Sequence, residues 1–270
     1  MGSKVKSLND VSKNRFNKEV KFWTEDSGKD IISWERKRRL EITKKEIETY
    51  YKDKKCTILE IGCGAGFNIS ELAKHNENWT CLGTDIAPQM IQHAKKKYKQ
   101  QKNLQFEVLN IDKAKIKKTF DVIFLMGVIG YLEDNKRALE KIASMMKKDS
   151  LLIFTYGNSQ SVFRILRFST SCLLDSSPHF VRLYNSIKKK IRKDALPYSP
   201  LANIFVPFKK KRIHSLLEEK FKIVDEEALC FSAGFFGSLS VKSGKFLEKY
   251  FHKNDPLKLG MTNLIIARKK

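Results

Sequence analysis

The chain has 270 residues, enough for one α/β domain with additions or for two small domains at most. Its apolar share of 41% supplies a hydrophobic core without disulfides or metal, and no uninterrupted apolar run reaches the roughly 18 residues of a spanning helix. Lysine and arginine number 53 against 30 acidic residues; the net charge of +23 implies an anionic partner (nucleic acid, an anionic membrane surface, a phosphorylated substrate) or lysines that only solvate helix faces.

The five cysteines, Cys56, Cys63, Cys81, Cys172 and Cys230, are scattered with no Cys-x-x-Cys pair. They read as reduced thiols of a cytoplasmic protein, with neither a disulfide framework nor a zinc site. The first residues lack the apolar middle of a secretory signal, and Lys6 stands where myristoylation wants Ser or Thr.

In chain order, residues 1–29 are polar, with Phe16, Phe22 and Trp23 as anchors of a loose or helical lead-in. Residues 30–51 repeat Ile31, Trp34, Leu40, Ile47 and Tyr51 among charges, a basic amphipathic helix. An alternation follows: strand 57–61, helix 67–75, strand 80–84 ending at Asp85, helix 88–100, strands 104–109 and 120–125, helix 135–146, strand 151–156. Such alternation implies a parallel sheet with right-handed crossovers. Residues 158–215 carry several prolines and two basic clusters but no strand pattern. Regularity returns with a helix near 209–220 and strands near 222–229 and 262–267; a glycine-rich stretch and a short helix around 246–251 lie between those strands. The chain thus divides into an N-terminal helical cap (1–54), a core (55–157), a helical insertion or lid (158–215) and C-terminal strands that complete the core sheet (216–270).

The sequence Ile58-Leu59-Glu60-Ile61-Gly62-Cys63-Gly64-Ala65-Gly66-Phe67 is a strand that breaks into glycines and then a helix. Glycine lets the backbone turn tightly beneath a ligand, and the helix amides beyond offer donors. A dinucleotide enzyme would show Gly-x-Gly-x-x-Gly; here the third glycine falls one residue early and Phe67 takes its place. Asp85, 19 residues beyond Gly66 at the next strand end, is positioned to accept the two hydroxyls of a ribose.

These segments resemble the motifs of class I S-adenosyl-L-methionine (SAM)-dependent methyltransferases. ILEIGCGAGFNI is similar to the first motif, TDIAPQMIQHAKKK to the second, FEVLNIDKA to the third, and FDVIFLMGVIGYLED with LLIFTYGN to the fourth and fifth strands. The resemblance implies a Rossmann-like, doubly wound α/β fold with a seven-stranded sheet, its last strand antiparallel. It also implies SAM as cofactor and S-adenosyl-L-homocysteine (SAH) as product. The contacts it implies are the acid Glu60 before the glycines, Gly62, Cys63, Gly64 and Gly66 near the methionyl part, and Asp85 on ribose. Ile86 and Met90 fall against adenine, Asp112 at its amine with Asn110 and Ile111 beside it, and Leu125 and Met126 behind the sulfonium. Arg39 matches an arginine that some relatives place near the cofactor carboxylate; the alternative is one of four clustered basic residues on a solvated face. The Lys-Pro-Gly-Gly turn common before the fifth strand is Lys147-Lys148-Asp149-Ser150 here, and the His often found after the fourth strand is Tyr131.

A sulfonium methyl is already reactive, so the protein mainly aligns acceptor, methyl and sulfur, and a general base serves only an acceptor that must lose a proton. Tyr131 and His179 are the candidate catalytic residues, the latter in the insertion. No metal site is expected. The expected acceptor is a small or lipid-like molecule, methylated at oxygen or, as the lesser alternative, nitrogen. Within 160–193, Phe180, Leu183, Tyr184, Ile187 and Ile191 recur at helical spacing with basic residues between them. Such a helix either lies on an anionic membrane surface, as the corresponding insertion of ubiquinone-type O-methyltransferases does, or packs its stripe onto the protein as a lid. The rival functions are an RNA methyltransferase gripping phosphates through Lys209–Arg212 and the lysines of 95–102, and a non-catalytic SAM-fold scaffold.

Overall fold

A computed structural model describes residues 7–18, 20, 31–114, 118–162, 164–165, 177–191, 206–231, 241–254 and 260–270. The anchors Phe22 and Trp23 and parts of the 158–215 and glycine-rich segments lie outside the described residues.

Seven strands form one sheet in the order β3-β2-β1-β4-β5-β7-β6. They are β1 (Cys56–Ile61), β2 (Trp79–Asp85), β3 (Leu104–Val108), β4 (Phe120–Leu125), β5 (Met146–Gly157), β6 (Phe221–Leu229) and β7 (Thr262–Lys269). The first five are parallel, and β7 runs antiparallel to both β5 and β6, so the expected reversal of the last strand holds. Among the described residues eight α-helices accompany the sheet: α1 (Leu8–Lys18), α2 (Ile31–Tyr51), α3 (Phe67–His75), α4 (Pro88–Lys97), α5 (Asn135–Ser144), α6 (Pro178–Ile191), α7 (Lys210–Leu217) and α8 (Val241–Asn254).

The central strands read as unbroken apolar runs because helices cover both faces. Ile58, Val122, Phe124, Leu151 and Ile153 pack one face against Ile47 of α2, Ile69 and Leu72 of α3, and Ile91 and Ala94 of α4. Leu59, Ile123, Leu152, Phe154 and Tyr156 pack the other against Leu139 and Ile142 of α5 and Ile213 and Leu217 of α7. The 147–150 segment is a bulge within β5 rather than a turn before it: Met146 pairs with Phe120 and Leu151 with Val122. Asp149 takes a positive φ of 61° there.

The β5–β7–β6 side is tied by a buried polar cluster. Glu226 of β6 accepts from Tyr156 Oη (2.7 Å) and Asn263 Nδ2 (2.7 Å), with Lys210 Nζ at 3.0 Å and His214 Nε2 at 2.9 Å. Burial works to raise this carboxyl, but the four partners outweigh it and hold it below the ordinary range. The cluster fixes the strand ends that carry Thr155 and Thr262. Among the described residues no helix is long and apolar enough to cross a membrane.

Candidate active site

The sheet order changes direction between β1 and β4, and loops leaving the carboxyl ends of parallel strands splay apart there. A cavity of about 950 Å³ opens at that point. Ligand pockets usually span about 300–1,000 Å³, so this one stands at the upper end of that range. One half lies over β1, β2 and β3, lined by Gly62, Cys63, Gly64, Asp85, Ile86, Met90, Asn110 and Ile111; the other lies over β4, β5 and β7, lined by Met126, Gly127, Val128, Thr155, Ser159 and Thr262.

The glycine loop has the conformation its sequence demands. Gly62, Gly64 and Gly66 all have positive φ (73°, 53° and 85°), and the amides of Gly62 and Cys63 both donate to Thr84 O, at 2.7 and 2.8 Å. This seats the loop on β2 and brings Asp85 beside it. Asp85 Oδ2 accepts from Gly64 N and Oδ1 from Ala87 N, both at 2.8 Å. Burial raises the Asp85 carboxyl, against the pull of the backbone amides of Ala87, Gly64 and Ile86. A carboxylate oxygen has two lone pairs, so each retains one after its amide bond.

Several sequence candidates stand behind the wall rather than on it. Glu60 is fully buried and caps α3: Oε1 accepts from Asn68 Nδ2 (2.9 Å) and Oε2 from Ile69 N (3.1 Å). Gly66 backs onto the Phe106 ring, which a Cβ would meet at 2.6 Å. Leu125 is core, and only its neighbour Met126 reaches the cavity. Asp112 is turned away from the main cavity: its Oδ2 accepts from Asn9 Nδ2 of α1 at 2.9 Å, and its carbonyl accepts from Lys141 Nζ. His179 is exposed on α6, off the cavity wall.

Arg39 does line the cavity, its Nη2 donating to Cys230 Sγ (3.1 Å) and lying 3.8 Å from Glu35. Tyr131 lines it too, edge-on to Phe16 with centroids 5.5 Å apart. Cys63 is a wall residue whose thiol burial pushes well above its ordinary value, so it stays protonated.

Sequence reasoning missed the roof. Asn9, Ser12 and Phe16 of α1 line the cavity, and Phe16 packs on the cluster of Ala65, Ala87 and Met90. Asn9 N donates to Glu133 Oε1 (3.2 Å), and Asn17 Oδ1 accepts from Gln89 N (3.2 Å), fastening α1 across the cleft. Phe16 was the one visible signal. Arg36, Arg164 and Ile165 also reach the wall.

These residues fit a nucleoside cofactor with an amino-acid tail. A Cβ on Gly64 would meet no protein atom within 4 Å, leaving the loop bare toward a ligand. Ser12 Oγ, on the cavity wall, is buried without a hydrogen-bond partner among the described residues, a polar atom that a bound nucleoside is equipped to satisfy. Asp85 suits the ribose hydroxyls, Ile86, Met90 and Ile111 an apolar base, and Arg39 a carboxylate.

A glycine-bent cleft at the switch point of a 3-2-1-4-5-7-6 sheet with β7 reversed defines a class I SAM-dependent methyltransferase. The chain belongs to the methyltransferase-domain family, whose sequence profile matches residues 52–220. It is 30% identical over 143 residues to malonyl-(acyl-carrier protein) O-methyltransferase 1 of Ilyobacter polytropus, covering 52% of this chain and 53% of that one. It is 30% identical over 103 residues to the ubiquinone biosynthesis O-methyltransferase of Coxiella burnetii, covering 37% and 43%. The chain spans about half the length of the curated relatives it matches. Among solved structures, magnesium protoporphyrin IX methyltransferase of Synechocystis with bound SAH superposes with a TM-score of 0.65 at 12% identity, covering 96% of this chain and 99% of that one. The N-methyltransferase NodS of Bradyrhizobium japonicum with SAH superposes at 0.57 and 16% identity, covering 96% and 98%. At such identities the likeness concerns the fold.

Glu60 makes the site sensitive to pH. Burial, with Asp85 nearby, lifts its carboxyl to about 8 against the bonds from Asn68 and Ile69. A folded value above the unfolded 4.5 means the folded state holds the extra proton between those limits, so stability falls as pH rises from 4.5 to 8. The slope from this group is bounded at about 1.4 kcal/mol per pH unit. Urea midpoints of the parent protein should fall across that window and those of Glu60→Gln should stay flatter; equal slopes would dismiss the raised carboxyl.

Proposed function

We propose that this protein transfers the methyl group of SAM to an oxygen of a small or lipid-like acceptor. The carrying observation is one continuous cavity with a cofactor cradle at Gly62–Gly64 and Asp85 and a second wall at Thr155, Ser159 and Ile165. The O-methyltransferase names of both curated relatives support oxygen, and the malonyl-(acyl-carrier protein) relative supports an acyl acceptor presented on a carrier.

SAM when bound supplies an electrophilic methyl group on a sulfonium. The chain's own residues do the rest: Asp85 fixes the ribose, Arg39 takes the cofactor carboxylate, and Phe16, Met90 and Ile111 exclude water around the base. Tyr131 orients the acceptor, since a phenol with an ordinary value near 10 is a poor base at neutral pH.

A peripheral membrane contact is a second part of this reading. On α6, Phe180, Leu183 and Ile187 are 41%, 50% and 48% exposed, and Arg182, Lys189 and Lys190 flank them. An apolar stripe left in solvent between cations suits an anionic interface better than a lid.

Labelled SAM incubated with the protein and separate lipid, metabolite and RNA fractions should label lipid or metabolite. Label confined to RNA would replace this reading with the nucleic-acid one. Anionic liposomes should float the protein at low salt and release it after Lys189→Gln with Lys190→Gln; absence of flotation removes the membrane contact.

A further inference from the structure

We propose that Cys230 is a positioning residue for the methyl donor: its thiol orients Arg39 so that the guanidinium meets the carboxylate at the amino-acid end of SAM and SAH. This inference rests on the methyltransferase reading and adds a device that selects these two compounds over nucleosides lacking that end.

Arg39, on α2, lines the cavity with 20% of its side chain exposed. Its Nη2 donates to Cys230 Sγ at 3.1 Å, and Glu35, one turn earlier in α2, lies 3.8 Å from the same nitrogen. Glu248 of α8, also buried, adds a second negative charge near the guanidinium. Burial works to lower the Arg39 group, but Cys230, Glu35 and Glu248 outweigh it and hold it above its ordinary value, so it stays charged. Burial, with Glu35 and Glu248 nearby, pushes the Cys230 thiol up against the pull of Arg39, so it stays neutral. Cys230 is therefore an acceptor that orients the guanidinium without cancelling its charge.

With two acids close to Arg39, net charge contributes little to recognition, and the direction of the N–H groups decides it. One N–H of a five-donor group goes to the thiol, and a carboxylate takes two more in a fork. An arginine side chain has many rotamers, and freezing one of them on binding weakens affinity; a side chain held beforehand avoids that cost. The thiol that does the holding is itself fixed. Cys230 follows β6 with a φ of 62°, in the left-handed region that strains any residue bearing a side chain. Its carbonyl accepts from Met261 N (3.2 Å) just before β7, and Met261 O accepts from Asn158 N (2.9 Å) just after β5. Phe231 beside it stacks on Phe251 of α8 with centroids 5.8 Å apart. Three strand ends and a helix thus set where Sγ stands under Arg39.

Calorimetry with SAH and 5′-methylthioadenosine provides the test. The two share the nucleoside and the thioether sulfur, and only SAH carries the ammonium and carboxylate. The parent protein should bind SAH at least about tenfold more tightly, as expected for a charge-assisted bond. Arg39→Gln should erase most of that advantage. Cys230→Ala should reduce it by about threefold to tenfold, the cost of freezing one side chain, with methylthioadenosine affinity kept within about twofold. Cys230→Ser keeps an acceptor on the same carbon and should recover the advantage. A variant that is only less stable loses both ligands alike, so the ratio of the two affinities reports orientation. A Cys230→Ala protein that keeps the parent ratio, or a Cys230→Ser protein that behaves as alanine, would overturn the role of the thiol while leaving methyl transfer standing. Equal affinity of the parent for both ligands would remove Arg39 from the cofactor carboxylate, and Cys230 with it. Failure of the parent to bind SAH would instead bring down the methyltransferase reading.

Discussion

Asp85→Ala should cost at least about a hundredfold in SAH affinity by calorimetry. Each carboxylate oxygen already accepts one loop amide and offers its remaining lone pair to the cavity. Hydrogen bonds to charged groups contribute about 1.5–3 kcal/mol each, so losing two ribose hydroxyls amounts to roughly 3–6 kcal/mol, or about 10²–10⁴ in Kd. The substitution also releases the amides of Gly64 and Ala87, which loosens the loop in the free protein. The melting temperature of the ligand-free variant separates that contribution from lost ligand contact. Asp85→Asn sharpens the case: its amide offers one oxygen where two backbone N–H groups need acceptors, so it should approach the alanine variant rather than the parent. Unaltered SAH affinity in Asp85→Ala would refute the ribose assignment.

Asp85 was legible because the chemistry is local in sequence: a strand, three glycines, a helix, a strand and an acid appear in that order, and the parallel alternation sets them at adjacent strand ends. Apolar runs placed the β strands to within a residue or two for the same reason, except that β5 begins at Met146, ahead of the expected 151. The roof was not legible. Helix α1 is held by side-chain bonds such as Asn9 to Asp112 and by Glu133 accepting from Asn9 N, and polar pairings across more than a hundred residues leave no periodic trace. The same pairing explains Asp112. Motif position placed it at the adenine amine, but its direction is decided by α1, which turns Oδ2 to Asn9 and leaves Oδ1 buried without a hydrogen-bond partner among the described residues. Arg164 is the converse. Its apolar and basic surroundings fall within 160–193, which reads equally as a membrane contact or a lid, and two main-chain carbonyls draw its guanidinium inward to the cavity wall.

Alanine at two neighbouring glycines should separate folding from binding. Gly62→Ala puts a Cβ at φ +73° and 2.3 Å from Val128 Cγ2. The loop cannot back away, because the Gly62 and Cys63 amides are both bonded to Thr84 O. Val128 is β-branched and stiff about χ1, and its carbonyl accepts from Tyr131 N, so displacing it disturbs the turn that presents Tyr131. Left-handed strain of about 1–2 kcal/mol and overpacking of about 1–3 kcal/mol give a loss of roughly 2–5 kcal/mol. That is a large part of a typical domain's stability and a fall in Tm of many degrees. Gly64→Ala has φ +53° but no protein atom within 4 Å of the new methyl. It should keep most of its stability, losing only the backbone strain, and yet bind SAH poorly because the methyl occupies the bare side of the cradle. Thermal denaturation and SAH calorimetry on the two variants decide the matter. A Gly62→Ala protein that melts with the parent would dismiss the close packing of Gly62 on Val128, and a Gly64→Ala protein that binds SAH normally would show that the loop's bare backbone does not serve the cofactor.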